Sequence, residues 1–369
     1  MWQNFLVLLT AHETFFNLLT AIKTVSASVV AVVLGLFRSF SETELFAIIF
    51  VMLTSVLFFV GFVLLIKGAD YLVTGASSLA FKLGISPLVI GLTIVAFGTS
   101  APELIVNLLA SFNGNTDIAI GNVLGSNIVN ILVILGISAI IYPLTVQKST
   151  VWMEIPFALL AVVVLAFLAS DALIDGAAES LLTRIDGLIL ISFFGIFLYY
   201  IAGIAKQAPE DIQEKPANLS LTRSGVLIFI GIIGLVVGGK WIVDGAIVFA
   251  QSLGVSEALI GLTIVAIGTS LPELATSVMA AFKKNTDIAV GNIIGSNIFN
   301  IFWILGISAI ITPLPFAPAM TTDILVTLSA SLLLFLALFV GKRHTLQKWQ
   351  GVAFLALYIM YIVYVISRG

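Results

Sequence analysis

Apolar runs of about twenty residues or more, bounded by charges, Pro or Gly, recur along most of the chain and leave few polar positions between them. A membrane-crossing helix needs about 20 apolar residues. Reading between the punctuation predicts ten spans, at 46–66, 86–112, 118–141, 151–170, 187–205, 224–243, 256–282, 288–311, 322–341 and 349–367. The longest polar stretch, 206–223 (KQAPEDIQEKPANLSLTR), is too short for a domain and reads as a linker between 46–205 and 224–369, two sets of five spans. Residues 1–45 form a separate extension. Its stretch from Phe15 to Phe37 carries only Lys23, and reads as an extra membrane helix, an interfacial helix or an uncleaved signal-like segment.

Composition narrows the class. Of 369 residues, 60% are hydrophobic and 9% charged, against about 25% charged in soluble domains, so the expected class is an all-α integral membrane protein in a lipid bilayer. Cysteine is absent, which excludes disulfides and thiolate sites, and the two histidines, His12 and His344, lie near chain or span ends. No cofactor is implied. Net charge is −3 with no basic run longer than two, which gives nucleic acid no footprint. If the span at 46 enters from outside, the cytoplasmic loops and span ends of the core hold Lys82, Lys148, Lys206, Lys215, Arg223, Lys283, Lys284, Lys342, Arg343 and Lys348, and the other side holds Arg184, Lys240 and Arg368 with Asp171, Asp175, Glu179 and Asp186. By the positive-inside rule the linker is cytoplasmic. A compact chain of this kind points to a prokaryotic plasma membrane, with no obligate protein partner evident.

Two segments repeat. Residues 91–141 and 261–311 align at a constant offset of 170 without a gap, and 35 of 51 positions are identical. The matches include every Gly, Pro, Glu, Asp and Asn of GTSxPE and NTDIAxGNxxGSNxxN. Five spans separate the two starts, so the copies cross the membrane in opposite directions. The charges agree: the turn at Asn113-Gly114 is neutral and its equivalent is Lys283-Lys284. Inverted repeats typify secondary transporters with a site near the midplane.

Within the repeats the intramembrane ionisable groups are Glu103 and Glu273, with no Lys or Arg at similar depth. A charge there costs at least about 2.5 kcal/mol and persists where it has a function or a partner. One reading is structural. Ser100-Ala101-Pro102-Glu103 and Ser270-Leu271-Pro272-Glu273 fit a capping box with Pro in the first turn, and Gly98 and Gly268 would end the half-helix before it. The other reading is a cation site. Broken helices free backbone carbonyls, tolerated where they line a cavity. The carbonyls of Ala96 and Ala266, the hydroxyls of Thr99, Ser100, Thr269 and Ser270, and two carboxylates form an all-oxygen set suited to Ca²⁺ or Na⁺.

Asn122, Ser126 and Asn130 follow at i, i+4 and i+8 on one helix face, as do Asn292, Ser296 and Asn300. Interhelical hydrogen bonding is the competing role for these asparagines, above all Asn122, Asn127, Asn292 and Asn297. Gly121/Gly125 and Gly291/Gly295 read as close-packing pairs, and Asp117 and Asp287 as partners of helix N-termini.

The doubled GTSxPE and GNxxGSNxxN motifs resemble the alpha-repeats of the sodium/calcium exchanger branch of the calcium/cation antiporter superfamily, over about residues 46–367. The resemblance implies a ten-helix core and Ca²⁺ extrusion driven by Na⁺ entry. Glu103 and Glu273 would be the shared carboxylates. Thr99, Ser100, Thr269, Ser270, Ser126, Ser296, Asn130, Asn300 and the carbonyls of Ala96 and Ala266 would supply further oxygens. Many such exchangers carry Asp at the position of Asn300. Here both copies have Asn, which bears on stoichiometry and K⁺ dependence. Alternating access would come from the spans at 46–66 and 224–243 moving against the repeats. A proton/calcium antiporter shares this architecture. A channel fits antiparallel copies poorly, and a hydrolase lacks a base near Ser100 or Ser270.

Overall fold

The computed structural model describes residues 42–174, 176–205, 217–253, 266–317 and 320–368. The possible helix before residue 42, most of the linker and residues 256–265 of the span at 256–282 lie outside the described residues. In chain order the elements are α1 (Glu42–Leu83), α2 (Pro87–Thr99), α3 (Ala101–Phe112), α4 (Thr116–Ile141), β1 (Leu144–Thr145), α5 (Lys148–Leu168), β2 (Ser180–Leu182), α6 (Arg184–Ile204), α7 (Leu221–Ser252), α8 (Ala266–Thr269), α9 (Leu271–Phe282), α10 (Thr286–Ile311), β3 (Leu314–Phe316), α11 (Met320–Ala337), β4 (Thr345–Leu346) and α12 (Lys348–Arg368). The protein is an all-α multi-pass membrane protein. Among the described residues eight helices are long and apolar enough to span, and α2 with α3 is a ninth span bent by 46°.

The first and sixth spans are longer than their hydropathy predicts. Their apolar stretches run over Val51–Leu83 and Leu221–Ser252, 33 and 32 residues. That is roughly 50 Å of helix at 1.5 Å per residue, against about 30 Å of hydrocarbon, so these helices tilt or extend past the bilayer. Lys67 and Asp70 interrupt the hydropathy of α1 without ending the helix. α1 and α7 meet along a glycine seam. A methyl added at Gly61 would lie 2.8 Å from the Gly238 carbonyl oxygen, one at Gly68 2.8 Å from that of Gly231, and one at Gly75 2.8 Å from that of Ser224. The seam recurs every seven residues on both helices.

α4 and α10 lie at the centre, with 72% and 83% of their apolar windows buried. Lipid-facing helices surround them: α12 packs on the last turns of α4 and α6 on those of α10. Two short antiparallel ribbons tie the halves together, β1 to β4 and β2 to β3. The contacts are reciprocal across the halves. Three cross-repeat side-chain bonds recur when each residue is replaced by its equivalent: Ser100–Glu273 with Ser270–Glu103, Thr99–Asn292 with Thr269–Asn122, and Asn130–Asn297 with Asn300–Asn127. This is the signature of a pseudo-two-fold axis between inverted repeats.

Candidate functional site

Ser100 and Ser270 occupy the breaks between α2 and α3 and between α8 and α9. The cause is Pro102 or Pro272, which has no N–H to give the carbonyl four residues earlier. The capping box does not form: neither serine side chain caps its own helix. Each crosses the axis instead. Ser100 Oγ donates to Glu273 Oε1 at 2.9 Å, and Ser270 Oγ donates to Glu103 Oε1 at 3.3 Å. Ser296 and Ser126 donate to the same two oxygens at 3.3 and 3.4 Å, and Ser270 also bonds Ser126 at 3.2 Å. Gly98 and Gly268 likewise do not terminate their half-helices, which continue to Thr99 and Thr269. Both glycines make room for α7: a methyl on Gly98 would lie 2.6 Å from Ile232, and one on Gly268 would overlap Val243.

The asparagines divide into two tiers. In the first, Asn122 accepts from Thr269 at 3.3 Å and donates to Asn107 at 2.6 Å, while Asn292 accepts from Thr99 at 3.0 Å and donates to Ser277 at 3.0 Å. These residues hold the threonines of the opposite break, the interhelical role open to them in the sequence. In the second tier, Asn127 Nδ2 donates to the Asn297 carbonyl at 3.3 Å, so its Oδ1 is the acceptor that faces Asn300. Asn300 must then present Nδ2 to it, at 3.0 Å, which turns Asn300 Oδ1 the other way. Asn130 does the same toward Asn297 at 2.9 Å. Asn130 and Asn300 both lie in π-helical turns, Val129–Leu135 and Phe299–Leu305, a wound-out geometry frequent at functional sites.

Four oxygens result that accept no hydrogen bond: Glu103 Oε2, Glu273 Oε2, Asn130 Oδ1 and Asn300 Oδ1. All four residues are 1% exposed. Buried acceptors without donors are uncommon in native proteins, and unpaired buried carboxylates more so. Asn130 stands one helical turn beyond Ser126 on the face that bonds Glu103, and Asn300 one turn beyond Ser296 on the face that bonds Glu273. The donor set is hard, anionic and all oxygen, which fits Na⁺ or Ca²⁺ by chemistry.

The Ala96 carbonyl differs from its expected role. It accepts Ser100 N–H at 3.0 Å and Thr99 Oγ1 at 3.3 Å, so the break does not free it. The carbonyl that loses its helical donor to Pro102 is that of Gly98. In the second copy Ser270 N–H bonds the Ile267 carbonyl at 3.1 Å. Gly291 and Gly295 pack as expected, onto Leu88, Gly91, Leu92 and Ala96 of α2. Among the described residues, nothing lies within 4 Å of a methyl added at Gly121 or Gly125. Asp117 and Asp287 sit in the first turns of α4 and α10, and Asp287 also accepts from Gln147 at 2.7 Å. Asn107 and Ser277 escaped the sequence reading. Each lies four residues after its glutamate and at the repeat offset from the other, which is the signal that reveals them.

Comparison with known proteins matches this geometry to a known architecture. The sequence profile described as sodium/calcium exchanger protein matches residues 53–203 and 223–367. The chain is similar to the putative antiporter CaxA of Alkalimonas amylolytica, 42% identical over 82% of this chain and 95% of that one. It is similar to the sodium/calcium exchanger MaX1 of Methanosarcina acetivorans, 33% identical over 82% of this chain and 95% of the other. A solved structure of the sodium-calcium exchanger NCX_Mj, soaked with Na⁺ and Sr²⁺, superposes with a TM-score of 0.74 at 37% identity, covering 85% of this chain and 99% of that one.

Proposed function

The chain belongs to the sodium/calcium exchanger protein family, and from that premise we propose that it exchanges Na⁺ for Ca²⁺ at the paired Glu103–Glu273 site. The observation that carries the reading is the set of four buried, donorless oxygens, two of them on carboxylates. Two ionised glutamates balance one Ca²⁺, or two Na⁺ with a third ion adding net charge. Thr99, Ser100, Ser126, Thr269, Ser270 and Ser296 orient the carboxylates and offer hydroxyl oxygens. Ala96 and Ala266 are the weaker members of the ligand set, because the Ala96 carbonyl already accepts two hydrogen bonds.

Exchange follows from competition. Ca²⁺ and Na⁺ need the same four oxygens, so one leaves before the other enters. Neither glutamate reaches solvent, so ions pass only when helices move. α1 and α7 are the moving pair in this reading. They join each other along a glycine seam of close backbone approaches, and α7 rests Ile232 and Val243 on Gly98 and Gly268 beside both breaks. The linker side, which carries most of the lysines, is the cytoplasmic face of the cell membrane in this reading.

Exchange of Glu103 or Glu273 for Gln tests the site. Each variant should lose Na⁺-dependent Ca²⁺ uptake while its melting temperature holds. Normal uptake by both would remove the glutamates from the mechanism. Uptake driven by an internal acid load without Na⁺ would assign the same carboxylates to protons.

A further inference from the structure

The pseudo-symmetry fails at one place that bears on which face of the protein opens. At the end of α9, Lys283 Nζ contacts Asp70 Oδ1 of α1 at 2.5 Å, Thr74 Oγ1 at 2.6 Å and the Asp70 carbonyl at 3.2 Å. One turn farther along α1, Asn285 donates to Ser77 at 2.9 Å. Two residues of the α9–α10 turn thus clamp two successive turns of α1 to the repeat core.

The equivalent positions on the opposite face are Lys240, Asp244 and Ile247 on α7, with Asn113 and Asn115 in the α3–α4 turn. No clamp forms there among the described residues. Lys240 turns to Asp244 within its own helix at 2.7 Å, and Asn113 and Asn115 are exposed. Among the described residues the repeat therefore keeps the helices and the site but carries this cross-element ion pair on one face only. The pair joins one of the two helices assigned to move with the core against which it moves.

We propose that Lys283 and Asp70, with Asn285 and Ser77, form a latch that holds the lysine-bearing face shut, so that the site opens first on the opposite face and the latch must break for ions to leave past α1. This rests on the alternating-access reading above. Lys283 and Asp70 are positioning residues: they contact α1 and the core rather than the ion, and they set the relative populations of the two open states. The pair is partly exposed, with side-chain exposures of 32% and 37%, so salt screens it.

The chain has no cysteine, so paired spin labels are placed cleanly. Lys82→Cys at the end of α1 and Lys148→Cys at the start of α5 are exposed positions on this face. The distance distribution between them is recorded in lipid nanodiscs for the otherwise wild-type chain, for Asp70→Asn, for Lys283→Gln and for the charge-swapped Asp70→Lys/Lys283→Asp. Each single variant should raise the separated population by roughly three- to tenfold, the range a half-exposed ion pair with an added hydrogen bond supplies. The swap should restore the compact population, and high salt should mimic the single variants. Unchanged distributions in both single variants, or a swap that behaves like them, would overturn the latch. Because this readout needs no transport, absence of Ca²⁺ uptake in the parent protein would sink the exchange reading separately.

Discussion

Ser100 of the first repeat donates its hydroxyl to Glu273 of the second at 2.9 Å, and the equivalent pair, Ser270 and Glu103, does the same at 3.3 Å. Each broken helix thereby orients the carboxylate of the other. A serine that caps its own helix would stabilise the fold; one that holds the opposite glutamate tunes the site. Ser100→Ala should therefore weaken Ca²⁺ activation of uptake by roughly 3–10-fold, the equivalent of one lost hydrogen bond. Ser100→Thr should retain most of it, and thermal stability should change little in either. A fall in melting temperature without a change in Ca²⁺ dependence would return the serine to a capping role.

The amide tier makes a prediction about residues that touch no ion. Asn127 fixes the orientation of Asn300 by accepting its Nδ2, and Asn297 does so for Asn130. Asn127→Leu removes that acceptor and lets the Asn300 amide turn its oxygen away. Apparent Ca²⁺ affinity should fall by roughly tenfold, as for the loss of one well-placed oxygen. The change should appear in the Ca²⁺ concentration dependence of uptake while the maximal rate is largely kept. Unaltered Ca²⁺ dependence would show that the orientation of Asn300 is not what Asn127 provides.

The glycine seam predicts a steric effect. A methyl at Gly231 would lie 2.7 Å from the amide nitrogen of Leu72, and α1 is backbone at that point with nothing to give way. Gly231→Ala should force the helices apart and cut turnover severalfold, whereas Gly225→Ala, on the same helix with open space around it, should leave transport at the wild-type level. Equal rates in the two variants, measured as initial uptake, would separate the seam from the transport cycle.

Most of the architecture is legible in the sequence because the repeat is nearly exact where chemistry demands it. The offset of 170 locates both breaks, both glutamates and both polar faces, and the fold joins them by cross-repeat bonds between serine and glutamate, threonine and asparagine, and asparagine pairs. The spans predicted too short, 46–66 and 224–243, are those whose hydropathy is interrupted. α1 runs on to Leu83 through Lys67 and Asp70, since the end of a long tilted helix need not be apolar. The glycines at 98 and 268 mislead for another reason. Sequence alone cannot tell a helix stop from a place where a second helix leans in, and only the positions of Ile232 and Val243 decide it. The serines mislead likewise, because their partners are 173 and 167 residues away.

Glu103 and Glu273 carry the central claim. Replacing one by Gln removes half of the charge that balances Ca²⁺ and a charge-assisted contact worth about 1.5–3 kcal/mol, or roughly 10–150-fold in affinity. Proteoliposomes preloaded with Na⁺, K⁺ or acid buffer, diluted into choline medium containing radioactive calcium, give the direct measurement. The account predicts uptake only with internal Na⁺, abolished in Glu103→Gln and in Glu273→Gln. Uptake that is independent of internal Na⁺, or undiminished in both variants, would contradict it.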